Sequence, residues 1–215
     1  MRRIGIFGGS FDPVHFGHLR PALEILQALS LDEIRFIPAG QPPLRQPPVA
    51  TASQRLQMLR LAVVDEPRFI VDDREIRRNA PSYTVDTLGE LRREYPGDPL
   101  TLMLGTDAYL SLPQWHEWRK IYELAHIVVA HRPGWKIPGE AELADMIRER
   151  RTELPADLSR QLAGRILFQQ VTQINISSTQ VRATIAAGGD PRYLLPDSVR
   201  ELILNTRCYA QPREH

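Results

Sequence analysis

Along the chain, short apolar runs alternate with longer stretches in which apolar residues return every three or four positions. The runs Arg3–Phe7, Ile34–Pro38, Arg68–Asp72, Leu100–Leu104, Ile127–Ala130 and Ile166–Gln170 are short, dominated by Ile, Val, Phe and Leu, and several stop at Gly, Pro or Asp. They predict buried strands. Between them, Leu19, Ala22, Leu23, Leu26 and Leu29 fall at helical spacing, with Pro21 in or just past the first turn, where proline costs least. Ser53–Asp65, with Ser53 as its N-cap, and Thr84–Tyr95, stopped by Pro96-Gly97, predict two more helices. The polar stretch Gly139–Arg151 predicts an exposed helix, and Ser178–Ala187 and Ser198–Thr206 predict two closing helices.

Strand and helix alternate, and no hairpin signal joins neighbouring strands. That order favours a parallel sheet with helices on both faces. No internal repeat or low-complexity linker interrupts it. The expected architecture is therefore α/β: a Rossmann-like, doubly wound parallel sheet with a helical C-terminal extension, in a single domain over residues 1–215. Such sheets bind ligands beyond the carboxyl ends of their strands, where strand order reverses. The loops Gly8–His18 and Gly105–Trp118 are thus expected to carry function.

Composition narrows the partners. A chain of 215 residues with 42% hydrophobic and 25% charged residues is ordinary for a globular protein, so disordered and fibrous classes are disfavoured. Lys and Arg number 27 against 26 Asp and Glu, a formal charge of +1, which argues against a general nucleic-acid partner but not against a local basic patch. The one cysteine, Cys208, precludes an intrachain disulfide and a Cys-rich metal site. No uncharged apolar run is long enough for a membrane span, and the N-terminal apolar stretch after Arg2-Arg3 is too short for a secretion signal. A cytoplasmic protein with no membrane partner is expected. The sequence leaves the oligomeric state open.

Two constellations carry chemistry. In Gly8-Gly9-Ser10-Phe11-Asp12-Pro13-Val14-His15-Phe16-Gly17-His18, glycines follow a strand, and two histidines three residues apart share one side of a helix start. Ring nitrogens beside free helix N–H groups suit a polyphosphate. The plainer alternative is a strand-to-helix turn with two surface histidines. A zinc site is disfavoured, because no third nearby ligand is evident. In Asn175-Ile176-Ser177-Ser178-Thr179-Gln180-Val181-Arg182, capping accounts for one hydroxyl but not for three in succession with Arg182 one turn on. That arrangement also suits phosphate.

Taken together, these segments resemble the two signatures of the HxGH nucleotidyltransferase superfamily, in order and at the family's separation of about 160 residues. Segments between them are similar to the bacterial nicotinate-nucleotide adenylyltransferases: Ile37-Pro38, Pro42-Pro43, Asn79-Ala80-Pro81-Ser82-Tyr83-Thr84, Gly105-Thr106-Asp107, Trp115 and Arg132-Pro133-Gly134. The resemblance spans nearly the whole chain. It implies that ATP and nicotinate mononucleotide give nicotinate adenine dinucleotide and pyrophosphate, a step of NAD biosynthesis, with Mg²⁺ carried on the phosphates and no dedicated protein metal site. It further implies that His15 and His18 contact the ATP phosphates, with His18 the principal charge stabiliser. Ser178, Thr179 and Arg182 would hold the β- and γ-phosphates, and Gly8, Gly9 and Ser10 would line the phosphate and ribose region. The acceptor would lie toward Thr84, Trp115 and His116, with Trp115 stacked on the pyridine ring; the alternative for Trp115 is a core tryptophan. Asp107 is a ribose contact or a helix cap, and Arg132 a phosphate contact or a surface ion pair.

The chain departs from the family at Leu44-Arg45, where a His followed by Lys or Arg is common after the double proline. Arg45 can still contact phosphate and Leu44 cannot. Ala39-Gly40 also stands where some relatives have Asn. Three other readings compete. Pantetheine-phosphate adenylyltransferases are usually shorter and lack the Pro81–Thr84 and Trp115 pattern. Class I aminoacyl-tRNA synthetases need a further Lys-Met-Ser-Lys-Ser-type loop and far more chain. An inactive nucleotide-sensing protein would not be expected to keep both signatures intact.

Overall fold

The computed structural model describes residues 1–43, 46–78, 80–135, 141–172 and 174–210. Within them, β1 (Ile4–Gly9), β2 (Glu33–Pro38), β3 (Phe69–Val71), β4 (Leu100–Gly105), β5 (His126–His131), β6 (Arg151–Thr152) and β7 (Ile166–Gln170) form one sheet in the order β3-β2-β1-β4-β5-β7-β6. Every pairing is parallel. The helices are α1 (Phe16–Ala28), α2 (Ala52–Val63), α3 (Arg74–Arg77), α4 (Thr84–Glu94), α5 (Thr106–Leu110), α6 (Trp118–Leu124), α7 (Ala141–Arg150), α8 (Ser178–Ala186) and α9 (Asp197–Thr206).

All six expected strands are present. The seventh, β6, lies where the exposed helix was expected to end; two residues are too few to show a period of two. The start of that expected helix, Gly139, lies outside the described residues. Helices α3 and α6 have no counterpart in the sequence pattern, since elements of four and seven residues barely complete two turns of it, and α5 was allowed for only through the reading of Asp107 as a helix cap, a position that Gly105 takes. The cap of α2 is Thr51 and not Ser53. Thr51 Oγ1 accepts from the Gln54 N–H at 3.2 Å while Gln54 Oε1 accepts from the Thr51 N–H at 3.0 Å, and only Thr51 has a Gln three residues on to complete this box.

Side chains of a buried parallel strand alternate between faces, so each strand feeds two cores. Met103, Val128 and Leu167 point to one, with Ala22, Ile25 and Leu26 of α1, Met58 and Leu59 of α2, Val181 of α8 and Val199 of α9. Leu102, Leu104, Ile127, Val129 and Ile166 point to the other, with Val85, Leu88 and Leu91 of α4, Ile121 of α6 and Leu143 of α7. The chain winds outward from β1 through β2 to β3, then returns to β4 on the other side of β1. That reversal opens a crevice over the carboxyl ends of β1 and β4. Among the described residues, no helix is long and apolar enough to cross a membrane.

Candidate functional site

A cleft of about 590 Å³ occupies this crevice. Gly8, Gly9, Ser10 and His18 line it from the β1 side, Ser178, Thr179 and Arg182 from the start of α8, and Thr84, Trp115 and His116 from the opposite end. A Cβ on Gly8 would meet nothing within 4 Å, so its missing side chain leaves open room in the cleft. The following loop is tightly determined. Phe11 is 2% exposed and has φ of 48°, a left-handed backbone that costs a bulky residue strain. Its ring meets Phe7 and His18 edge-on, with centroids 5.6 and 5.3 Å apart.

The two histidines stack, with centroids 3.8 Å apart and planes inclined by 31°. The His15 N–H donates to His18 Nδ1 at 3.3 Å, so a neutral His18 carries its proton on Nε2. His15 is buried, and burial pushes its pKa down to about 4, so its ring is neutral at physiological pH. Its Nδ1 has no partner among the described residues. Gly17 makes the stack possible: a Cβ there would stand 2.9 Å from both Cε1 and Nδ1 of His15 and 3.0 Å from the Ile176 carbonyl oxygen.

The three hydroxyls at the start of α8 divide their work. Ser177 caps the helix, accepting from the Gln180 N–H at 3.1 Å. Ser178 Oγ donates to the Pro13 carbonyl at 2.9 Å, and Arg182 Nη1 donates to the Asp12 carbonyl at 2.7 Å. Arg182 Nη2 also reaches Thr179 Oγ1 at 3.4 Å. Two segments far apart in sequence thus meet through direct hydrogen bonds at one end of the cleft, with the half-exposed edge of Arg182 facing into it.

At the other end, Tyr83 is the N-cap residue of α4, and its ring stacks on His116 with centroids 4.5 Å apart. Trp115 is half-buried: it lines the cleft and also packs against the α4 core. Asp86 and Glu117 are exposed and outside the lining, but Glu75 of α3 is in it. Its carboxyl accepts from Thr87 Oγ1 at 2.7 Å, and burial raises its pKa. Asp107 stands exposed in the first turn of α5, beside the cleft and not in its lining; it makes no side-chain cap bond. Arg132 lies apart from the cleft, in a second depression with Glu24 and Thr172, because it follows β5, one strand beyond the reversal. Arg45 lies outside the described residues.

Residues 6–184 match the cytidylyltransferase-like family. The chain is 48% identical to a protein of Methylococcus capsulatus named "Probable nicotinate-nucleotide adenylyltransferase", over 97% of this chain and 100% of that one. A protein of the same name from Halorhodospira halophila is 47% identical over 99% and 98%. The chain belongs to the nicotinate-nucleotide adenylyltransferase family. The fold is also that of the Plasmodium falciparum nicotinic acid mononucleotide adenylyltransferase, solved with APC and with NaAD: the TM-score is 0.72 in both, at 17% and 18% identity, over 97% of this chain and 98% of that one.

For this nucleotidyltransferase, sequence reasoning passed over four residues of the site. Phe11 and Asp12 were seen only as members of the glycine-rich loop. Arg55 is 1% exposed, and its guanidinium donates to the carbonyls of Ser10 and Ala39, each at 2.7 Å, tying together the loops after β1 and β2. Its signal was available: Arg55 shares a helix face with Met58, Leu59 and Val63, where an arginine needs a buried partner. Glu75 gave no such signal, because α3 is too short to show a buried face.

Proposed function

We propose that this protein transfers AMP from ATP to nicotinate mononucleotide, releasing pyrophosphate. The observation that carries the reading is the single cleft in which the Gly8–His18 loop meets the start of α8, with an aromatic end opposite. His18 contacts the phosphates through its Nε2–H and stabilises charge developing during transfer, and His15 supports it from below as a neutral imidazole. Gly8, Gly9 and Ser10 line the phosphate and ribose region. Ser178, Thr179 and Arg182 hold the β- and γ-phosphates at the positive end of α8. The acceptor's phosphate is already an anion, so it attacks the α-phosphorus in line without a covalent enzyme intermediate, and catalysis is alignment plus charge stabilisation. Mg²⁺ arrives with ATP as part of the substrate. This accords with its preference for oxygen and water.

Trp115 offers its ring to the pyridine, and Thr84, in the first turn of α4, offers a hydroxyl and a backbone N–H to the carboxylate. Glu75 lines this part of the cleft with its Oε1 engaged by the Thr87 hydroxyl, while Asp86 and Glu117 lie outside the lining. A site of donors favours the acid over the amide, because the amide mispairs one bond at about 1–3 kcal/mol and forgoes the charge. Pyrophosphate release from ATP with each acceptor tests this. The expected kcat/KM favours nicotinate mononucleotide by at least about 10²-fold over the amide form. A ratio near one, or turnover only with another acceptor such as phosphopantetheine, refutes the reading.

A further inference from the structure

Asp12 lines the cleft yet is only 4% exposed, and three donors bond its carboxylate with a guanidinium close by. The Val49 N–H donates to Oδ2 at 2.8 Å, the Ala50 N–H to Oδ1 at 3.0 Å, and the Tyr209 hydroxyl to Oδ1 at 2.7 Å. Arg182 Nη1 stands 3.6 Å from Oδ2, beyond ordinary hydrogen-bond length, while it donates to the Asp12 backbone carbonyl at 2.7 Å. Arg182 is therefore poised between a buried carboxylate and the cleft it lines.

Tyr209 arrives from the far end of the chain, just past α9. Arg207 leaves that helix with φ of 53°, and Tyr209 itself has φ of 72°. Two left-handed non-glycine residues in three persist only where their surroundings over-determine them. The ring packs against the core under α1 and α2, and its hydroxyl ends on Asp12. Burial and that carboxylate raise the phenol's pKa, so it stays a donor across the physiological range.

We propose that Tyr209 is a positioning residue for the triphosphate end of the cleft: its hydroxyl occupies Asp12 and thereby leaves the Arg182 guanidinium available to phosphate. A buried carboxylate that loses a donor turns toward the nearest replacement. Here that is Arg182: released at Oδ1, the carboxylate is free to turn, and closing the 3.6 Å from Oδ2 to Arg182 Nη1 to an ordinary ion-pair length of about 2.8 Å takes less than about 1 Å of movement. A guanidinium drawn onto Asp12 has less to offer a ligand. The inference rests on the reading of Arg182 as a ligand of the β- and γ-phosphates.

Tyr209→Phe tests it, because it keeps the ring and removes only the hydroxyl. KM for ATP and the inhibition constant of pyrophosphate should rise together, by about 3- to 30-fold for one lost charge-assisted contact. KM for the acceptor should stay within about twofold. Ser198→Ala is the control for mere anchoring of the same helix: it breaks the 3.3 Å bond from Ser198 Oγ to the Leu61 carbonyl without touching Asp12, and should leave both constants unchanged. In the Arg182→Ala background, Tyr209→Phe should add nothing to the loss of pyrophosphate affinity. Unchanged pyrophosphate affinity in Tyr209→Phe, or an equal rise in both substrate KM values, overturns the proposal. If Arg182→Ala weakens pyrophosphate binding and Tyr209→Phe does not, only the role of Tyr209 fails. If Arg182→Ala itself binds pyrophosphate normally, the functional reading of Arg182 fails, and this inference with it.

Discussion

Gly17→Ala is a single methyl whose effect can be worked from the geometry. Gly17 lies in the first turn of α1 with no positive φ, so alanine suits its backbone, and a helical Gly→Ala change ordinarily stabilises by about 0.5–1 kcal/mol. Here the new Cβ would stand 2.9 Å from two atoms of the His15 ring and 3.0 Å from the Ile176 carbonyl. Carbon contacts relax only near about 3.5 Å, so the ring or the helix start must shift by about half an ångström. Overpacking of this kind costs about 1–3 kcal/mol, which after the helical gain leaves a net loss of between about 0 and about 2.5 kcal/mol. The shift also reaches His18, which stacks on the displaced ring and bonds to the His15 amide. A misplacement of about 1 Å at an active site can cost about 10²-fold, so kcat should fall about tenfold here. Gly89→Ala is the matched control, because a Cβ on that α4 glycine meets nothing within 4 Å. It should gain about 0.5–1 kcal/mol and keep its kcat. Urea unfolding and pyrophosphate release at saturating substrates measure both effects. If Gly17→Ala gained stability as Gly89→Ala does and kept kcat within about twofold, the argument from close approach would be wrong.

Replacing His18 with alanine should lower kcat by about 10²–10⁴-fold with little change in urea midpoint, and near-normal turnover would remove it from the chemistry. Arg182→Ala should raise KM for ATP far more than KM for the acceptor, equivalent to about 1.5–3 kcal/mol, with Arg182→Lys only a partial rescue; equal effects on both substrates would count against its placement. Stability should fall with acid through His15. Its folded pKa of about 4 is below the usual 6.5, so as pH drops the unfolded chain takes up the proton first. The contribution is full above pH 6.5, is lost as pH falls from 6.5 toward 4, and amounts to at most about 3 kcal/mol for a difference of about 2.5 pH units. His126, also buried with a lowered pKa, acts in the same direction. Unfolding free energies between pH 7 and 4 should show a shallower slope in His15→Asn, which keeps a good capping residue; an unchanged slope would mean that His15 titrates normally.

The strands and the two nucleotidyltransferase signatures were legible because their causes are local. A buried strand writes its own apolar run, and a glycine-rich turn before a helix must spell out its glycines and donors in order, as Gly8–His18 and Ser177–Arg182 do. The parallel sheet followed from the absence of hairpin turns, and the position of the cleft from the rule that ligands sit where strand order reverses. The two-residue β6 and helices as short as α3 left neither an apolar run nor a readable period, and with α3 went Glu75. Only the tertiary structure decided which polar groups point at one another. Asp12 and Tyr209 are 197 residues apart in sequence, and no local pattern marks a carboxylate for a phenol at the other end of the chain. The sequence left Arg132 as a phosphate contact or a surface ion pair, and strand order puts it outside the cleft that Arg182 lines. Periodicity and turn chemistry are properties of neighbours along the chain. Burial, close approach and the sharing of one carboxylate among three donors are properties of neighbours in space, and they exist only once the sheet has assembled.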